Sequence, residues 1–473
     1  MPHTTGSVKS VPPDPDRLLG LDPAVRQLAR ELYESTAAAP IISPHGHVEA
    51  EMLARNEPFS DPAQLFVTPD HYVTRLLHAS GVPLERLGLG DSAASPREVW
   101  RTLCANWRRF SGTPVRYWFE DSLARVFDIT ITPSELTADD LYDAIAERLG
   151  QPEYRPKELV GRFNVAVLAT TDDPAGDLGH HRALAADPGL TTAVIPTLRA
   201  DDYMTPDRPG WPAKLDQLSD VSGHDCGTYK GLLEAIRARR QVFADHGATS
   251  TDCGVPDAWA SRLEDQEAER LHQEGLARTI TPADAQAYGR NMLFQFGCLA
   301  AEDGLVMQLH AGVIRNHHTA TLERFGPNSG HDLPGVTRYV EPLRELLNHV
   351  GTSPSFRIVL FTTDETAFSR DIAPLAGFYP SVYAGAPWWF LDAPAAIGRY
   401  RAAVTETAGF YKTSGFVDDT RALCSIPSRH DMSRRLDARF LAEQVVNHQI
   451  RMEEAFEIAH ALVDDIPRSV FRL

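Results

Sequence analysis

Pro40-Ile41-Ile42-Ser43-Pro44-His45-Gly46-His47 is the stretch on which the reading of the chain turns. A short apolar run ends in two histidines one residue apart, after only a brief lead. On a strand, side chains two apart point to the same face. The spacing therefore predicts that His45 and His47 project together from the C-terminal end of a buried strand. Such a pair can share one divalent metal. It can equally be two polar residues of a loop, so the surrounding chain has to decide.

Upstream, Asp22-Pro23 reads as an N-cap followed by the first helical residue. Val25, Leu28, Leu32 and Tyr33 then recur at helical spacing to about residue 38. Residues 1–16 are polar and proline-rich, without the apolar core of a signal peptide, and the segment 1–20 is expected to be mobile. Downstream, residues 50–162 carry helical patterns and no buried strand. Two helix starts stand out there, Thr132-Pro133-Ser134-Glu135 and Thr137-Ala138-Asp139-Asp140.

From residue 163 the rhythm changes. Apolar runs at 164–169, 192–198, 248–252 (the weakest), 304–309, 357–361, 381–385 and 415–417 alternate with helical patterns. With the first run this makes eight strand candidates. Alternation predicts a parallel sheet, and eight units predict a (β/α)8 TIM-type barrel, with a doubly wound open sheet as the alternative. The expected division is a barrel over 21–49 and 163–473, with a helical cap over 50–162 inserted after the first strand. A tail of one or two helices, 436–463, is expected to pack outside.

Composition narrows the function. The 473 residues carry a net charge of −18, with acids spread along the chain. This favours solubility and argues against a nucleic-acid partner, which usually calls for a basic footprint. Cys104, Cys226, Cys253, Cys298 and Cys424 are scattered and form no CxxC pair. Neither a disulfide framework nor a zinc finger is suggested, and a cytoplasmic location fits. No apolar run reaches the roughly 18 residues of a membrane span. GxGxxG after a strand and GxxxxGK[ST] are both absent.

The polar residues gather after the predicted strands, where barrel active sites lie. His310 follows the fifth run and Asp419 the eighth. Three imidazoles and a carboxylate suit zinc, or manganese or iron, better than magnesium or calcium. Taken singly, His310 reads as a structural histidine and Asp419 as a helix N-cap; their shared place at the strand mouths is what groups them. Arg199, Arg315 and Arg421 also stand at or after strand ends. An arginine fork binds a carboxylate, which points to a small acidic substrate. A structural ion pair is the other reading for at least one of them. Tyr72, in Asp70-His71-Tyr72, can reach the site from the cap or simply pack. Trp388-Trp389 can wall a sugar ring or belong to the core.

Several ordered segments together resemble the uronate (glucuronate) isomerases, a divergent branch of the amidohydrolase superfamily of metal-dependent barrels. They are His45-Gly46-His47, Asp70-His71-Tyr72, Thr170-Thr171-Asp172-Asp173-Pro174 and Leu198-Arg199. His310-Ala311-Gly312-Val313-Ile314-Arg315-Asn316, Trp388-Trp389-Phe390 and Asp419-Thr420-Arg421 complete them. The resemblance runs from about residue 22 to the C-terminus. It implies interconversion of D-glucuronate with D-fructuronate and of D-galacturonate with D-tagaturonate, so the partner is a hexuronate. It also implies one divalent metal, zinc first, on His45, His47 and Asp419, with His310 close by. Arg199 and Arg421 would hold polar substrate groups, and Arg315, His71, Trp388 and Trp389 would complete the substrate contacts. Asp419 and Tyr72 would move protons. One departure is plain: Ser43 stands where many members carry an aspartate, two residues before the first histidine. Position 46 is glycine, and Asn316 is followed by His317-His318.

The implied chemistry agrees with the residues. Aldose–ketose isomerisation passes a proton between C1 and C2 through an enediol and needs a base and oxyanion stabilisation. The competing expectations are a mononuclear metal-dependent hydrolase acting on a sugar acid or lactone, and a sugar-acid binding protein without turnover. A two-metal hydrolase is disfavoured, because Phe361-Thr362-Thr363-Asp364 brings no histidine to the sixth strand end. A barrel with exposed helices can also form a homo-oligomer.

Overall fold

The computed structural model describes residues 12–473. The expected mobility of the N-terminal lead falls mostly on residues 1–11, outside the described residues. The rest of that lead is fastened: Arg17 donates to Asp121 at 2.5 Å and to Asp431 at 3.0 Å, and Leu19 is buried. The ordered body thus begins before residue 21.

Ten strands are present among the described residues. They are β1 (Ile41–Ser43), β2 (Val165–Ala169), β3 (Ala193–Ile195), β4 (Leu198–Arg199), β5 (Ser250–Val255), β6 (Val306–Ala311), β7 (Val313–Ile314), β8 (Leu333–Pro334), β9 (Ile358–Thr362) and β10 (Val382–Ala384). The order β1-β2-β3 forms one parallel sheet and β4-β5-β6-β9-β10 another; β7 and β8 make a separate antiparallel hairpin. A parallel bridge from Asp172 to Leu198 joins the two sheets, and another from Ala384 to Thr413 extends the second. The His47 amide donates to the Thr420 carbonyl at 3.0 Å, bringing the last segment back to the first. The expected α/β fold is borne out: parallel strands separated by helices, in two sheets that these contacts link.

The deviations have local causes. The third run is split into β3 and β4 at Pro196, which has no N–H for the ladder. The eighth, expected at 415–417, is not a regular strand, because Gly415 turns through φ +70 where a side chain would run into Pro467 and the Leu462 carbonyl. The run expected to be weakest is the six-residue β5. In the helical block, Thr132-Pro133-Ser134-Glu135 does not start a helix. The Thr137 hydroxyl accepts from the Ser134 amide (2.9 Å) and donates to the Thr132 carbonyl (3.0 Å), forming a turn that leads into the single helix Ala138–Leu149.

The C-terminal helices also depart from expectation. The first spans Ile426–Val446, and its residues 426–438 are all buried. It starts ten residues before the expected 436 and lies against the helix Pro23–Ala37 and the block helix Pro114–Phe127. Its charged side chains are therefore paired internally, as in Arg435–Asp431 at 2.8 Å and Arg401–Asp437 at 2.5 Å.

Candidate active site

β1 stops at Ser43 because Pro44 cannot continue the ladder. His45 and His47 therefore sit in the loop beyond the strand, and strand alternation is not what brings them together. Two backbone anchors do so: the His47 amide on Thr420, and the Thr171 hydroxyl donating to the Gly46 carbonyl at 2.8 Å. The result is the convergence expected on other grounds. His47 Nε2 lies 3.0 Å and His45 Nε2 3.5 Å from Asp419 Oδ1.

Behind this group stands His310, which lies within β6 and not after it. Its ring stacks on His45 at 4.6 Å and on Phe361 at 4.2 Å, with Trp388 edge-on at 4.7 Å. Its Nδ1 pairs with Asp252 Oδ1 at 2.7 Å, while Nε2 is buried without a partner. Asp252, on β5, also meets Arg199 Nη1 at 3.0 Å, and Arg199 Nη2 reaches Asp201 at 2.8 Å. The sequence reading left Asp252 out of the site. The signal was an acid inside a run of small polar residues, Ser250-Thr251-Asp252, that looked like a poor strand.

Charge and burial set the protonation states. Burial drives the Asp419 carboxyl up, but the imidazoles of His45 and His47 outweigh it and hold it well below the usual carboxylate range. Burial alone would lower His45; Asp252 and Asp419 reverse this and raise it. Burial lowers His310 despite Asp252. Burial also lifts the Tyr72 phenol far above its ordinary value, with Arg429 opposing, so Tyr72 is a neutral proton donor. His71 is pushed down to about 3 by burial and by Arg421, and stays a neutral imidazole.

One cavity of about 680 Å³ gathers His45, His47, His71, Tyr72, Arg199, His310, Arg315, Trp388, Trp389, Asp419 and Arg421. Every site residue expected from the sequence lines it. Their roles inside it differ. Arg199 is locked between two aspartates. Arg315 donates to Asp332 at 2.9 Å and lies 5.1 Å from the Trp389 ring centre. Arg421 is exposed and makes no hydrogen bond or ion pair with a described residue. Asn316, Trp389 and Asp419, all lining the cavity, have φ of 54°, 51° and 39°. For a tryptophan this backbone is costly and needs support from its surroundings.

Two groups of side chains have the donors and spacing to hold a metal ion: His45, His47 and Asp419, and His45, Asp252 and His310. In the second, His310 Nδ1 is already committed to Asp252. The first offers two imidazole nitrogens and a carboxylate oxygen on one point, a set that fits a divalent transition metal. The Ser43 hydroxyl is buried without a partner and adds no ligand.

A sequence model of the glucuronate isomerase family matches residues 24–469. The chain belongs to the glucuronate isomerase family. A uronate isomerase of Corynebacterium efficiens is 47% identical over 463 residues, spanning 97% of this chain and 98% of its own. The glucuronate isomerase of Caulobacter crescentus has a crystal structure that superposes with a TM-score of 0.94 at 41% identity, over 97% of this chain and 96% of that one. A uronate isomerase structure from Thermotoga maritima gives 0.90 at 31% identity, over 97% and 99%. For a glucuronate isomerase family member, the hydrolase and binding-only expectations fall away. At the sixth strand end, Asp364 is taken up by Thr366 and the Thr337 amide.

Proposed function

We propose that the protein is a uronate isomerase interconverting D-glucuronate with D-fructuronate and D-galacturonate with D-tagaturonate. The observation that carries this reading is the meeting, in one cavity of a family member, of the His45–His47–Asp419 donor group with the unpaired guanidinium of Arg421. One divalent ion, zinc with manganese or iron as alternatives, would be held by His45, His47 and Asp419. When bound, it supplies Lewis acidity to the neighbouring substrate oxygens.

The chain's own residues account for the rest. Asp419 is ionised, and with Oδ1 facing the two histidines, Oδ2 is left to take the C2 proton and return it to C1. The Tyr72 phenol, neutral and without a hydrogen bond to a described residue, donates to a substrate oxygen. Arg421 and Arg315 receive the carboxylate of the uronate through their planar forks. Arg199, fixed by Asp201 and Asp252, orients a hydroxyl. His310, held by Asp252, presents Nε2 to the cavity, and Trp388 and Trp389 shape the wall around the sugar. The helical block acts as a cap by contributing His71 and Tyr72.

A cytoplasmic enzyme able to self-associate completes the proposal. The unpaired cysteines support a reducing compartment, and no described helix is long and apolar enough to cross a membrane. The test is metal content of the purified protein together with ketose formation from both uronates. Absence of bound metal, with no ketose after zinc or manganese is added, overturns the reading.

A further inference from the structure

The buried helix Ile426–Val446 sends one charged side chain to the cavity. Arg429 is 1% exposed, yet it lines the cavity beside Tyr72. Its Nη1 donates to Asp392 Oδ2 at 2.5 Å and its Nε to the Ser425 hydroxyl at 3.2 Å. The guanidinium carbon lies 3.7 Å from the Trp118 ring centre and 5.1 Å from that of Tyr72. Three segments therefore meet at this one cation: the block helices bearing Tyr72 and Trp118, and the turn bearing Asp392.

Stability alone does not explain such a group. A buried ion pair is often replaceable by apolar residues of similar volume with no loss of stability. This pair is also incompletely satisfied, since Asp392 Oδ1 is buried without a partner. Tyr72 needs help of this kind. Its hydroxyl bonds to no described residue, so contacts of its ring set its direction: His71 at 5.1 Å, Trp118 edge-on at 5.5 Å, Arg429, and the apolar clusters it packs on. His71 and Tyr72 are consecutive at the start of the helix His71–Ala79. Arg429 is the charged contact among these on the barrel side of the cavity, where Tyr72 also packs on an apolar cluster, and it interacts with Asp70, the N-cap of that helix.

We propose that Arg429, held by Asp392, is a positioning residue that aims the Tyr72 phenol into the cavity. The inference rests on Tyr72 donating to the substrate. In Arg429→Met, which keeps the volume, kcat falls about 10- to 100-fold, the scale set by misplacing a reacting group by about 1 Å, while KM stays within about twofold. Tyr72→Phe alone loses about 100-fold. The double variant is no slower than Tyr72→Phe, because a misaimed phenol and an absent one cost the same step. Losses that multiply in the double variant overturn the proposal, as does an Arg429→Met enzyme with full kcat. Where Arg429→Met does not fold, Asp392→Asn takes its place in the same cycle with the same expected non-additivity. A Tyr72→Phe enzyme with wild-type kcat overturns the reading of Tyr72 and this inference with it. A slow Tyr72→Phe with multiplying losses overturns this inference alone.

Discussion

The floor and the rim of the cavity are built on opposite plans. On the floor, His45, Asp252 and His310 are all nearly inaccessible, and Arg199, Asp201, Asp252 and His310 form a chain of contacts between 2.7 and 3.0 Å. Buried charges must be paired, and these are. At the rim, Arg421 is exposed and unpaired, and the Arg315 side chain is 44% exposed with one aspartate on it. The floor fixes geometry in advance, whereas the rim keeps hydrogen-bonding capacity for something that arrives. Two arginines in one cavity thus have different consequences when removed.

The strongest break in this picture comes at their junction. Asp419→Asn lowers turnover by about 10³-fold or more and abolishes exchange of the C2 proton with solvent. Exchange persisting at the wild-type rate in deuterated water places the base elsewhere. On the floor, Arg199→Met leaves the buried Asp252 and the half-buried Asp201 without their cation, so stability drops by about 3–5 kcal/mol, read by denaturant unfolding. At the rim, Arg421→Met leaves unfolding unchanged and lowers kcat/KM roughly 10- to 100-fold, from about 1.5–3 kcal/mol for a charged hydrogen bond. Equal stability losses in the two arginine variants would erase the distinction between floor and rim.

The pH dependence tests the same boundary. His71 titrates near its ordinary 6.5 in the unfolded chain but only at about 3 in the folded one. Between those values the unfolded state binds more protons, so stability is full above about pH 6.5 and falls as pH drops. This group contributes about 2 kcal/mol of loss from pH 7 to pH 5. His71→Asn flattens the melting temperature against pH by that amount; parallel curves for the two proteins count against it. The smallest effect is at Ser43, whose buried hydroxyl has no partner. Ser43→Ala changes stability by less than about 1 kcal/mol and leaves activity intact, and a clear loss of activity would mean that the hydroxyl orients His45.

What the sequence disclosed follows the same division. Apolar runs ending in His, Arg or Asp marked most of the barrel, because buried strands and their polar ends have different compositions. The resemblance supplied His71 and decided for Tyr72 between site and packing, since no periodicity could bring either to a cavity across an insertion. Asp252 and Arg429 stayed hidden for a different reason. Each is a charged residue inside an element, and its burial depends on partners distant in sequence: Arg199 and His310 for the one, Asp392 and Tyr72 for the other. The left-handed turn at Gly415 was equally invisible, since a glycine in an apolar run does not announce its φ.

The helix Ile426–Val446 has a last consequence, for the timing of biosynthesis. Arg17 and Tyr33, near the start of the chain, both bond to Asp431, 414 and 398 residues later. At roughly 5–20 residues per second, a ribosome needs on the order of 20–80 s to travel from the first partner to the last. For that interval the helix Pro23–Ala37 has neither the Tyr33–Asp431 hydrogen bond nor its packing surface on 426–446, and its apolar face is open to chaperones. The nascent chain can make these contacts only once residue 431 has left the ribosome.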